Sequence, residues 1–142
     1  MTEQIEQRSD AWFSARLGKV TASRVADVIA KTKSGYSASR DNYMAQLICE
    51  RLTGQKGESF TNSAMQWGVD NEALAISAYE NATNVLVEAV GFVDHPTIAM
   101  SGASPDGLVS LFGCIECKCP QTNTQIETLL ADKVPTKYLP QI

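Results

Sequence analysis

The chain has 142 residues, a length that supports one domain around one core. Its 44% hydrophobic content is that of an ordinary soluble protein, and no apolar run approaches the roughly 20 residues of a membrane span, which excludes a transmembrane class. The net charge of −4 argues against a broad basic footprint for nucleic acid, yet it leaves room for a nuclease whose carboxylates hold cations, because bound metals themselves neutralise phosphate.

Residues 12–17 read as a short turn or helix after a polar start. Thr21 is placed to cap a helix over 22–30, with Val25, Val28 and Ile29 as its apolar face. The stretch KTKSGYSAS over 31–39 reads as a loop, 40–52 as a second helix stopped by Gly54, and 55–59 as another loop. A long helix fits 62–82. At 100° per residue, Met65, Val69, Ile76 and Tyr79 share a stripe with Glu72 in its middle, and Trp67, Leu74 and Ala78 form a patch opposite. Such a helix is expected to be covered on two sides. The texture then changes to strands, over 85–93, 98–101, 107–111 and 114–119, the last two joined by a tight turn at Phe112 and Gly113 and stopped by Pro120. A helix over 122–132 follows. Helices, then strands, then a helix predict a mixed α/β domain with a central sheet.

Four cysteines, Cys49, Cys114, Cys117 and Cys119, raise the question of zinc. On a strand, Cys114 faces away from Cys117 and Cys119, so the three cannot surround one tetrahedral ion. The expectation is small buried thiols and no zinc. The N-terminus lacks the basic-then-apolar order of a signal peptide, and with the reduced cysteines this predicts a cytoplasmic protein.

The chemistry concentrates in Asp106, nine intervening residues, then Glu116 and Lys118. Glu116 and Lys118 are two apart on a strand and share a face, and a hairpin brings Asp106 beside them. Two carboxylates and an ammonium on one face suit phosphodiester hydrolysis. Carboxylate oxygens hold hard Mg²⁺, or Mn²⁺ in its place, the backbone carbonyl of Cys117 can add a ligand, and a lysine orients the water or stabilises developing charge. Separately, Pro-Asp-Gly is an ordinary turn and Glu-x-Lys an ordinary paired surface; the combination at hairpin spacing carries the signal.

Pro105-Asp106 with Glu116-x-Lys118 matches the PD-(D/E)xK signature of the restriction-endonuclease-like nucleases. The stretches WFSARLGKVTAS over 12–23, QWGVDNE over 66–72, SPDG over 104–107 and IECKCP over 115–120 resemble the phage lambda-type alkaline exonucleases, in order, from about residue 10 to the end. The resemblance implies a restriction-endonuclease-like α/β fold over 1–142 and a metal-dependent 5′→3′ exonuclease on double-stranded DNA ends, of phage or prophage origin and serving recombination. It implies that Glu72 joins the metal cluster; a buried glutamate paired with a basic residue is the alternative. It implies that Arg16, Ser23 and Ser104 hold a terminal 5′-phosphate, with Lys33 nearby and Gln141 close to the active site. Ser23 in a first helical turn and the planar fork of Arg16 suit an anion, although Thr21 as a mere cap and Arg16 as a surface charge stay open. Family members form ring-shaped homotrimers and act with a single-strand-annealing protein. They also continue past the equivalent of 138–142, so this chain is expected to stop within a helix, with its sheet incomplete. Another PD-(D/E)xK endonuclease, or a metal- and DNA-binding domain without turnover, are the competing readings.

Overall fold

The computed structural model describes residues 5–57 and 61–142. In chain order they form α1 (Asp10–Arg16), β1 (Val20–Thr21), a 3-10 turn (Ala22–Arg24), α2 (Val25–Ile29), β2 (Lys31–Thr32), β3 (Gly35–Tyr36) and α3 (Ala38–Thr53). They continue with α4 (Ser63–Thr83), β4 (Val93–Asp94), β5 (Ser101–Ala103), β6 (Gly107–Val109), β7 (Gly113–Ile115), α5 (Thr122–Ala131) and a 3-10 segment (Thr136–Gln141). The architecture is mixed α/β. Two compact units divide it: the described residues of Met1–Glu58, Val90–Ser104 and Thr136–Ile142, and those of Ser59–Ala89 and Pro105–Pro135.

The first unit is built on α3. Tyr43, Leu47 and Glu50 are spaced four and three apart and form its buried stripe. Gly54 ends the helix at φ +65, its N–H donating to the Glu50 carbonyl, as expected for a left-handed cap. α1 starts on Ser9, whose hydroxyl accepts from the Trp12 N–H, and carries Asp10 and Arg16 at the ends where the helix dipole favours each charge. A mixed three-stranded sheet runs β1-β5-β4: β1 pairs parallel with β5 (Val20 opposite Ser101) and β4 antiparallel (Val93 opposite Ala103).

Several expectations change here. Thr21 holds the N-cap position, but its side chain makes no capping hydrogen bond: it is buried in β1, its hydroxyl lies 3.3 Å from that of Ser23, and the helix expected over 22–30 opens as a 3-10 turn. Ile29, assigned to its apolar face, is exposed. The loop over 31–39 contains a two-stranded ladder, with Lys31 opposite Tyr36 and Thr32 opposite Gly35. Of the loop over 55–59, 55–57 are irregular and the rest lies outside the described residues. The strand expected over 85–93 survives as an isolated bridge at Glu88 and as Val93 in β4, because β-propensity reports fitness for a sheet surface and only a partner strand makes the pairing. The strand over 98–101 shifts to Ser101–Ala103, since Met100 at φ +57 breaks the extended run before it.

In the second unit, α4 runs as the periodicity predicts. The Asn62 side chain accepts from the Met65 N–H at its start, and Asn84 at φ +56 closes it. It is not covered on two sides, however. Trp67 is 45% and Leu74 69% exposed, and Met65, Val69 and Tyr79 are exposed as well, so the better-covered strip passes through Gly68, Glu72, Ile76 and Glu80. β6 and β7 form an antiparallel hairpin with Gly107 opposite Ile115 and Val109 opposite Gly113. The turn is Ser110-Leu111-Phe112, entered by Ser110 at φ +55. β7 stops at Ile115, so 116–119 lie beyond the strand that was expected to include them. α5 matches its expected span and ends on Asp132 at φ +47. Among the described residues no helix is long and apolar enough to cross a membrane.

Candidate functional site

Asp106 sits immediately before β6, and Glu116 immediately after β7, so the hairpin ladder brings the two ends together. The Asp106 N–H extends the ladder by donating to the Ile115 carbonyl at 3.0 Å. Gly107 is required here because a Cβ would collide with Val87 and crowd the Glu88 carbonyl, whose residue bridges to Leu108. The Asp106 carboxylate accepts from the Cys117 N–H at 2.5 Å. Lys118 and Glu116 lie on the same side, as expected, with the ammonium 2.5 Å from the carboxylate.

Burial pushes the Asp106 carboxyl up to about 6, and the negative charges of Glu116 and Glu72 push it the same way, against the Cys117 hydrogen bond and Lys118. The four side chains singled out in the sequence therefore act on one another electrostatically. Glu72 contributes from the half-covered strip of α4. A carboxyl raised by burial first and then by neighbouring carboxylates is a group that a cation would favour in its charged form, and an all-oxygen donor set suits a hard one. The donors fit Mg²⁺ in kind. They are not drawn together in number: among the described residues, no group of three or more His, Cys, Asp or Glu stands ready to hold a metal ion. Glu116 is engaged by Lys118 and Asp106 by the Cys117 amide.

The cysteines differ from expectation. Cys49 and Cys114 are exposed, and Cys117 and Cys119 are half-buried. The alternation that set Cys114 against Cys117 and Cys119 needs a continuous strand, and β7 ends at Ile115, before the latter two. Burial first, and then Asp106 nearby, push the Cys117 thiol up to about 11, so it holds its proton at neutral pH.

In the first unit a second cluster forms around Ser104. Its hydroxyl accepts from Arg16 Nη1 and from Trp12 Nε1, both at 2.9 Å. With both lone pairs filled, the hydroxyl proton is what Ser104 has left to offer an anion. The Arg16 guanidinium lies 4.0 Å over the Trp12 ring and 5.8 Å from that of Phe92. Burial holds the Arg16 pKa below its ordinary value, partly countered by Tyr43. A desolvated guanidinium beside a donating hydroxyl is suited to a phosphate oxygen.

Of the other predicted residues, Ser23 is exposed in the 3-10 turn Ala22–Arg24, against which the segment Thr136–Gln141 bearing Gln141 packs. Lys33 is exposed on the turn between β2 and β3, and no hydrogen bond among the described residues joins it to Arg16, Ser23 or Ser104. Arg16 and Ser104 are thus brought together directly, Ser23 and Gln141 through packed elements, and Lys33 not at all. Trp12 was missed. Its signal was legible, one helical turn before Arg16 and on the same face. Tyr43 and Glu50 were missed too, and nothing in their local sequence marks them.

The model of the YqaJ-like viral recombinase domain matches residues 11–142. Two crystal structures of the alkaline exonuclease LHK-Exo from Laribacter hongkongensis, one of them in complex with dAMP, superpose with a TM-score of 0.84 at 53% sequence identity. Each match covers 94% of this chain and 65% of the solved one, so the chain spans about two-thirds of the length of that exonuclease. No curated protein matches. With this likeness the mixed α/β architecture is that of the restriction-endonuclease-like class.

Proposed function

We propose, for a chain that belongs to the YqaJ-like viral recombinase domain family, a metal-dependent exonuclease that degrades double-stranded DNA in the 5′→3′ direction. The observation that carries the reading is the β6–β7 hairpin, whose ladder ends on Asp106 at one side and runs into the Glu116–Lys118 pair at the other, with the Asp106 carboxylate bonded to the Cys117 amide. The likeness to LHK-Exo supports it, as does the dAMP held by one LHK-Exo crystal, a molecule of the kind that hydrolysis at a DNA end releases.

Asp106, Glu116, Glu72 and the Cys117 carbonyl would hold Mg²⁺, or Mn²⁺ in its place. Such a cation, when bound, acidifies water and offsets phosphate charge. The chain's own residues do the rest. Lys118 presents an ammonium to the attacking water or to the charge that develops. Arg16 and Ser104 anchor the terminal 5′-phosphate, with Ser23 and Gln141 as further contacts; an anchored end restricts the orientations of the substrate and so lowers the entropic part of the barrier. The homotrimer, the annealing partner, the phage origin and the cytoplasmic location are carried by the resemblance and the composition alone.

A second reading, binding without turnover, draws on one observation: no three-donor metal group is assembled among the described residues. The experiment is a cleavage assay on linear duplexes with 5′-phosphate or 5′-hydroxyl ends and on circular duplex, with Mg²⁺ and with EDTA. Metal-dependent loss of linear, 5′-phosphorylated DNA is expected. Equal cutting of circles points to an endonuclease, and binding with no cleavage to the second reading.

A further inference from the structure

The segment 18–21 links the helix that carries Arg16 to the turn that carries Ser23, and its backbone polar groups are satisfied from α3. The Gly18 N–H donates to Glu50 Oε2 at 2.9 Å, and the Gly18 carbonyl accepts from Arg51 Nε at 2.7 Å. The Lys19 carbonyl accepts from the Tyr43 hydroxyl at 3.4 Å, and the Thr21 N–H donates to the same hydroxyl at 3.2 Å. Four backbone groups of one linker are thus read by three side chains on one helix.

The clamp is specific in its chemistry. Gly18 is buried at φ +67, and a Cβ there would lie 2.6 Å from Arg51 Cγ, so the linker conformation and the arginine stem are fitted to each other. Tyr43 is 4% and Glu50 7% exposed, and Gln46 Nε2 steadies the other Glu50 oxygen at 2.8 Å. Tyr43 is also held by the Arg24 guanidinium, 4.2 Å over its ring. The linker therefore has little freedom to vary the spacing of what it joins.

We infer that Glu50, with Arg51 and Tyr43, is a positioning residue for DNA-end recognition: by clamping the Gly18–Thr21 backbone it sets the separation of Arg16 from Ser23. The inference rests on the end-recognition reading above and extends it to residues that touch no substrate. It explains why a helix interior devotes a carboxylate, a guanidinium and a phenol to a four-residue connection.

The test uses the full chain in EDTA, where binding is read without cleavage. Affinities for short duplexes with a 5′-phosphate and with a 5′-hydroxyl are measured by fluorescence anisotropy, and their ratio is the readout. Glu50→Ala is expected to lower the ratio about tenfold, the size of one net hydrogen bond, while Glu50→Gln, whose amide oxygen can accept from Gly18, keeps it. If Glu50→Ala weakens both duplexes by the same factor, its role is merely structural and the inference is overturned. Should Glu50→Ala not fold by circular dichroism, Tyr43→Phe decides: it removes only a hydroxyl, and a ratio about threefold lower supports the inference, whereas an unchanged ratio overturns it. A wild-type chain that fails to distinguish the two ends sinks the end-recognition reading itself, and that outcome is visible before any variant is made.

Discussion

Replacing Asp106 by Asn tests the electrostatics of the carboxylate cluster without reference to catalysis. The folded chain holds the Asp106 proton with a pKa of about 6, against an ordinary 3.8. A gap of that size corresponds to about 3 kcal/mol, at about 1.4 kcal/mol per tenfold change in proton affinity. Asp106 is only half-buried, and solvent screening reduces the contribution to roughly 1 kcal/mol. The sign follows from which state binds the proton more tightly. The folded state does, so this group's contribution to stability is best below about pH 4, declines as pH rises to about 6, and stays at its least favourable value above. In EDTA, Asp106→Asn is expected to be more stable than the wild type by about 1 kcal/mol at pH 8 and no more stable at pH 4. Urea melts followed by circular dichroism at the two pH values read the difference. Mg²⁺ should reverse the order at pH 8, raising the wild-type melting temperature and leaving the variant unmoved, because the cation replaces the missing counter-charge. A variant that is less stable than the wild type in EDTA at pH 8 would refute the reasoning, since the carboxylate would then be stabilising as it stands.

Lys118→Ala should abolish Mg²⁺-dependent cleavage while the melting temperature holds; retained cleavage in a gel assay would remove Lys118 from the chemistry. Arg16→Ala should erase most of the preference for 5′-phosphorylated ends and slow 5′-hydroxyl ends much less; equal slowing of both marks Arg16 as a general DNA or folding residue. Asn62→Ala removes the cap on the Met65 N–H and should cost about 1 kcal/mol in a denaturant melt, and a change near zero would show that solvent replaces the cap. Elemental analysis should find no stoichiometric zinc on the purified chain, and zinc lost only on unfolding would revive a binding-module reading of the cysteines.

Where the signal was local, the sequence alone was enough. The span of α4 followed from its periodicity and the end of α3 from Gly54, whereas Glu116 and Lys118 pair beyond the end of β7 and not through the strand alternation that predicted it. The approach of Asp106 to Glu116 was legible because a hairpin with a short turn leaves its strand ends few alternatives. Beyond that range the sequence was silent. Composition could not say that Trp67 and Leu74 stay exposed, because periodicity identifies an apolar stripe and only tertiary packing covers it. Valine content could not say that 85–92 lacks a ladder, because pairing depends on a partner strand. Arg16 and Ser104 stand 88 residues apart, and the shared hydroxyl that joins them, with Trp12 as its second donor, exists only once β1 pairs with β5. The clamp of Glu50 and Arg51 on Gly18 is of the same kind: a backbone group is identical at every position, so nothing in the chain announces which carboxylate will find it until the helix and the linker have packed.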